Sequence, residues 1–361
     1  MANKQYPVHY ANFVCHFGTD ELLDYLHEIV LPAFRPQGSV RTFKDGRYFF
    51  DGTELLNLAA PGSEPELAIC GRFVKDMVVK SEQRWDRSAN EMVPDRSVLE
   101  TAPSSIFVLL LASHKLIFLL ETSNAPGMES FRSTAANFLA AARRVYIDSV
   151  ASRSRISDLT EEEAEKFLER GEDGKTTRIT KVRLNELLGP VDLELVPLSN
   201  EENLRKFLER FQLLQAATLR LVKPNSEIDN DEFLKQIRTK SDDVGSKTST
   251  LTHRNPEGLV KAKVLGQLQA AAAEANTEIK LEGKDALGQV LRGSNEQFKV
   301  VSYLDAKPTD LAMTALRMFM LFSSQRREGL VKTPESETAE RNKGKLAALA
   351  TKVRNTRDDH A

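Results

Sequence analysis

The side chains best suited to a shared chemical task in this sequence are cationic. Between positions 235 and 263 lie seven bases, Lys235, Arg238, Lys240, Lys247, Arg254, Lys261 and Lys263, against the three acids Asp242, Asp243 and Glu257. A second basic stretch holds Arg132, Arg143, Arg144, Arg153 and Arg155, with Asp148 as the opposing acid. Cations gathered on one surface neutralise phosphates and release counterions whatever the base sequence. Asn225, Ser226, Ser246, Ser249 and Asn255 add neutral donors for phosphate oxygens. The plain alternative for each stretch is an ordinary charged surface.

Catalytic patterns are sparser. Glu278 and Lys280 form a Glu-x-Lys pair on a predicted strand, as in many metal-dependent nucleases, although alternating polarity produces such pairs by chance. Glu227, Asp229, Asp231 and Glu232 cluster without the central Gly and terminal Glu of an EF-hand loop, so helix capping is their expected role. His9 and His16 fall on opposite faces of a predicted strand, as do the neighbours Cys15 and His16. Neither a Gly-rich phosphate loop nor a zinc spacing occurs. No catalytic residue, metal or cofactor is expected.

The whole chain is not basic. Its 361 residues carry 50 Lys and Arg against 52 Asp and Glu, for a net charge of −2, with 41% hydrophobic residues. That excludes both a polybasic binder and an acidic disordered chain. Positions 157–173 alone hold eight acids and two bases, so the cancellation is uneven along the chain. Two cysteines, Cys15 and Cys70, are too few for a disulfide framework and are expected reduced and buried. The first residues lack a signal-peptide core. The most apolar stretch, 106–120, is interrupted by His114 and Lys115 and falls short of the ~20 residues that span a bilayer. A cytoplasmic protein is expected.

The elements that must position these residues follow from periodicity. Residues 6–17 read as a strand. Thr19 opens a helix with the stripe Leu22, Leu23, Leu26, Ile29 and Val30, ended by Pro32 and Pro36. Strands flank a turn at Lys44-Asp45-Gly46, and one or two more occupy 67–79. Residues 106–112 and 116–121 form a hairpin whose polar turn is Ser113-His114-Lys115; its continuous apolar strands need cover on both faces, or a packed helix such as 128–150. Trp85 sits in a charged segment, as a contact residue or as a loop anchor.

From about 191 the order is β-α-β-α-β-α-β-β, with Ser199 and Glu202 as a capping box and Asp229 as a helix cap. A final apolar helix begins at Pro308-Thr309-Asp310 and must be buried. The expected class is α+β: a β-rich N-terminal domain with packed helices over 1–150, a charged helical connector over 151–190, and a C-terminal α/β sandwich with ferredoxin-like elements over 191–327. A polar, partly disordered tail covers 328–361.

Several landmarks occur together: Asp45-Gly46 before Tyr48-Phe49-Phe50; Ser104-Ser105-Ile106-Phe107-Val108 and Leu116-Ile117-Phe118 leading to Thr122, Pro126 and Phe138-Leu139; and, later, Leu193-Glu194-Leu195-Val196-Pro197-Leu198. Over about 40–305 the sequence resembles the RexA-type phage-exclusion proteins and related bacterial antiphage families. The acidic connector and the long C-terminal tail depart from that pattern. The resemblance implies a cytoplasmic, homodimeric protein that binds double-stranded DNA in phage defence, with a separate membrane protein as effector partner. It carries over no catalytic residue. A metal-dependent nuclease using Glu278, or a protein-interaction subunit docking through the helix at 311–322, are the competing expectations.

Overall fold

The computed structural model describes residues 5–35, 38–44, 46–60, 62–153, 159–167, 180–305, 310–332, 334, 336–351 and 353. Its first part contains strands β1 (Tyr6–Phe17), β2 (Asp20–Glu21), β3 (Arg41–Phe43), β4 (Gly46–Asn57), β5 (Leu67–Lys80), β6 (Gln83–Asp86), β7 (Glu91–Pro94), β8 (Val98–Thr101), β9 (Ser104–Leu110) and β10 (Lys115–Leu120). Helices α1 (Leu31–Phe34), α2 (Met128–Ser152), α3 (Glu161–Phe167) and α4 (Lys181–Leu188) accompany them. Then come β11 (Val191–Pro197), α5 (Glu201–Glu209), β12 (Leu213–Val222), α6 (Glu232–Asp243), β13 (Thr248–Arg254), α7 (Lys261–Ala273), β14 (Thr277–Lys284), β15 (Val290–Ser294), α8 (Asn295–Phe298), β16 (Val301–Leu304), α9 (Leu311–Arg327) and α10 (Ala339–Ala350). The class is α+β, and the strand pairings are antiparallel.

The large sheet runs β11-β1-β10-β9-β5-β4-β3, with β16 and β2 also on β1 and β8 on β5. Its strands are apolar at consecutive positions because both faces are covered. On one face Ala11, Phe13, Cys15 and Phe17 meet α2, whose Phe131 ring lies 5.1–6.2 Å from those of Phe34, Phe50, Phe73, Phe107 and Phe118. On the other, Tyr6, Val8 and Tyr10 meet Ala315, Met318 and Phe322 of α9. The apolar helix expected at the end of the chain is therefore the second lid of the first sheet. Both cysteines are free and fully buried, and burial pushes their thiols up.

Local expectations shift in four places. The helix expected from Thr19 is a 3-10 turn over Leu22–Tyr25 and a π-turn over Leu26–Val30, running into α1. Pro32 does not end it: it occupies the first turn of α1, where a missing N–H costs nothing. Pro36 lies outside the described residues. The strand expected to open a second unit, β11, pairs with β1 from Ala11↔Pro197 to Phe17↔Val191, and β16 adds to the same strand from Tyr6↔Leu304 to His9↔Val301. The chain after 190 is thus woven into the first sheet. In the tail, α10 seats Leu346 in the first core, while Arg341 and Lys345 reach Asp24 at 3.5 and 3.1 Å.

One close approach fixes where α4 meets β1. Gly18 (φ +68°) and Gly189 (φ +56°) pack backbone to backbone; a Cβ on Gly189 would lie 2.4 Å from the Gly18 Cα. Among the described residues, no helix is long and apolar enough to cross a membrane.

The second sheet has the order β13-β12-β14-β15. Its odd-numbered positions, among them Ala217, Leu219, Leu221, Ile279 and Leu281, form a core with α5, α7 and α8 through Leu204, Phe207, Leu268 and Phe298. The helix caps are Asn200 for α5 and Asp231 for α6, not Ser199 and Asp229.

Candidate nucleic-acid interface

The even-numbered positions of the second sheet make its other face. Register places Arg254, Ala216, Glu282 and Arg292 in one cross-strand row, Thr252, Thr218, Lys280 and Ser294 in the next, and Thr250, Arg220 and Glu278 in the third. A shallow depression of about 390 Å³ over the first two rows is lined by Thr218, Arg254, Lys280, Arg292, Ser294 and Gln297, among others. The rows carry four bases, Arg220, Arg254, Lys280 and Arg292, against the two acids Glu278 and Glu282.

Their electrostatics differ. Arg220 is committed: it bonds Glu194 of β11 at 3.0 Å and Glu278 at 3.1 Å. Arg132 of α2 approaches the same Glu194 at 3.8 Å, so the N-terminal half of α2 adjoins this face. Arg292 meets Glu282 at 3.1 Å with both side chains exposed, a pair of the kind that contributes little and exchanges readily for another anion. Arg254 and Lys280 are exposed and carry no ion pair among the described residues.

The stretch 235–263 does not form one groove. Strand alternation sends Arg254 to the open face, while Lys235 and Lys247 line a separate cleft on the helical side with Leu221 and Ser249. Arg238 is consumed inside the fold by Asp229 and by the Val222 and Asn276 carbonyls. Lys261 donates to the Phe211 carbonyl at 2.7 Å, and Arg143 donates to the side chain and carbonyl of Asn185 at 3.0 and 3.1 Å. Lys240, Lys263 and Arg144 are exposed on α6, α7 and α2. Arg155 lies outside the described residues. Of the second basic stretch, Arg143 is taken up by Asn185 of α4, while Arg132 approaches Glu194 of β11, the carboxylate that Arg220 of the second sheet also bonds.

Sequence reasoning passed over Arg292 and read Lys280 only as a nuclease partner. The signal was present in the alternation Thr250, Thr252, Arg254, which leaves one face of β13 without apolar cover. Glu278 and Lys280 do share a face, but Arg220 occupies Glu278, and among the described residues no three His, Cys, Asp or Glu side chains are grouped to hold a metal.

A second feature was also missed. Lys115, placed by its sequence in a polar turn, is the first residue of β10 and is buried. Its ammonium donates to Asn12 at 2.7 Å and to Glu227 at 3.2 Å. The Asn12 amide donates to Glu227 at 3.1 Å and also to Asn276, and the other Glu227 oxygen accepts from the Asn225 backbone at 2.8 Å. Asn225 takes the place of a strand beside β1: its side chain accepts from the Cys15 N–H and donates to the Phe13 carbonyl. Burial would raise the Glu227 carboxyl, but Lys115, His114 and Asn12 outweigh it and hold it at about 2. The network clamps the 223–229 loop onto the end of the first sheet.

No protein-family model matches the chain, and no curated protein matches it.

Proposed function

We propose that this protein is a non-enzymatic, sequence-independent DNA-binding component of a bacterial antiphage system, and that the duplex lies across the open face of the second sheet. The observation that carries the reading is this uncovered polar sheet face, with exposed Arg254, Lys280 and Arg292 set among hydroxyl groups. Arg254 and Arg292 stand three strand spacings apart, or about 14 Å, comparable to the ~12 Å width of a major groove. Two such cations meet phosphates on either side of a groove, while the Thr218 and Thr252 hydroxyls, bonded to each other at 3.1 Å, keep one proton for a sugar–phosphate oxygen. No aromatic side chain stands in these rows, which favours phosphate contact over base stacking.

The RexA-type resemblance supplies the remaining parts of the proposal: the defence role, the cytoplasmic setting, a homodimer, and a membrane effector as partner. A mobility-shift assay on duplexes of unrelated sequence across a salt series tests the binding. Sequence-indifferent shifts that weaken steeply with salt are expected. Absence of any shift at low salt, with folded protein, overturns the reading.

A further inference from the structure

The cleft on the helical side of the second sheet is a different site. It measures about 290 Å³ and lies between the 223–229 loop, α6 and the 246–249 segment. We propose that it binds a terminal phosphate group, carried by a free nucleotide or by the 5′ end of a nucleic-acid strand.

Three ammonium groups, those of Lys223, Lys235 and Lys247, border it. Lys223 and Lys235 carry no ion pair among the described residues, and Lys247 has only Asp192, at 3.9 Å. Ser226, Ser241, Ser246 and Ser249 line the interior, with their hydroxyls bonded inside the protein, Ser246 to the Thr248 carbonyl at 2.7 Å and Ser241 to Ser249 at 2.8 Å. Of the four acids at the cleft, Glu227 is matched by Lys115 beneath it and Asp229 by Arg238. That leaves Asp242 and Glu337 against the three lysines, a net charge of +1 that favours an anion. A terminal phosphate is such an anion, with three acceptor oxygens for the ammonium donors. Pro224 and the exposed Ile228 give the cleft an apolar wall for the rest of a nucleotide.

The site is built before any ligand arrives. Asn225 pins the loop to Phe13 and Cys15 of β1, and Ser226 shares its hydroxyl with Ser336 and Thr338 from the segment leading into α10. Ordering costs that weaken binding by mobile loops are therefore small here.

The test is isothermal titration of the full chain with ADP, inorganic phosphate, and a ten-nucleotide oligomer bearing either a 5′-phosphate or a 5′-hydroxyl. ADP, the phosphorylated oligomer or both are expected to bind, which one identifying the source of the phosphate. Lys235→Ala and Lys247→Ala are each expected to weaken that binding by about tenfold or more. Both side chains are exposed, so circular dichroism of the variants should match the parent. Arg254→Ala, on the opposite face, should leave this binding unchanged while weakening duplex binding, which separates the two sites. The proposal is overturned if neither ADP nor the phosphorylated oligomer binds, if binding ignores both lysine substitutions, or if the 5′-hydroxyl oligomer binds as well as the phosphorylated one.

Discussion

Lys115 and Glu227, 112 residues apart in sequence, meet at 3.2 Å in a place that water does not reach. The pair joins the first hairpin to the loop after β12. Removing one partner strands a buried charge. Lys115→Met alone is expected to cost about 3–5 kcal/mol in urea unfolding, and Lys115→Met with Glu227→Leu to recover much of that loss. Additive losses in the double variant would show that the pair is not coupled.

Acid should destabilise the fold in two stages. Burial lowers His114 from 6.5 to about 4, so the unfolded chain takes up that proton first; the stability gained is complete above pH 6.5 and declines as pH falls toward 4. His9, also lowered to about 4 by burial, acts with the same sign. Glu227, held at about 2 against an ordinary 4.5, contributes stability that is present above 4.5 and lost as pH falls through 2. Urea midpoints measured from pH 7 downward should show His114→Asn flattening the upper stage and Glu227→Gln the lower. Unchanged profiles in both variants would refute this assignment.

The open sheet face gives a salt signature. Arg254→Ala and Arg292→Ala should each reduce the slope of log affinity against log salt by about 0.9, one phosphate contact apiece. Arg143→Ala and Lys261→Ala should lower thermal stability and leave the slope intact, because those side chains are occupied by Asn185 and Phe211. The opposite pattern would move the interface to the helical side.

Backbone contact makes Gly189 the most demanding glycine of the β1–α4 junction. Gly189→Ala is expected to destabilise by at least ~1–3 kcal/mol, combining strain at positive φ with the collision at Gly18. Gly245→Ala is the control: it shares a positive φ of +67° but has nothing within 4 Å of a Cβ, so only the conformational part remains. Equal losses in denaturant would show that the contact contributes nothing.

What was legible in the sequence was local. The hairpin β9–β10, its covering helix, the buried stripe from Leu22 to Val30 and the buried final helix all follow from periodicity within a short window. What was hidden depends on partners far along the chain. Nothing near Val191 announces that it pairs with Phe17, and nothing near Lys115 announces Glu227. The basic stretch is dispersed for a related reason. Nearness in sequence clusters charges, but one strand with helices on one side distributes them to opposite surfaces, and short-range partners such as Asp229 consume one of them. The pattern behind the proposed interface has period two and is spread over four strands.

Strand β1 is completed late. One edge takes β10, but the other waits for β11 and finally for β16, which ends at Leu304. At 5–20 residues per second, synthesis from residue 120 to residue 304 takes about 10–40 s. Until β11 emerges the whole of that edge of the apolar strand is open, and until β16 emerges its Tyr6–His9 end stays open, with α9, the cover for its second face, yet to follow. A chain cut near residue 150 would lack both partners of that edge and the helix over the second face.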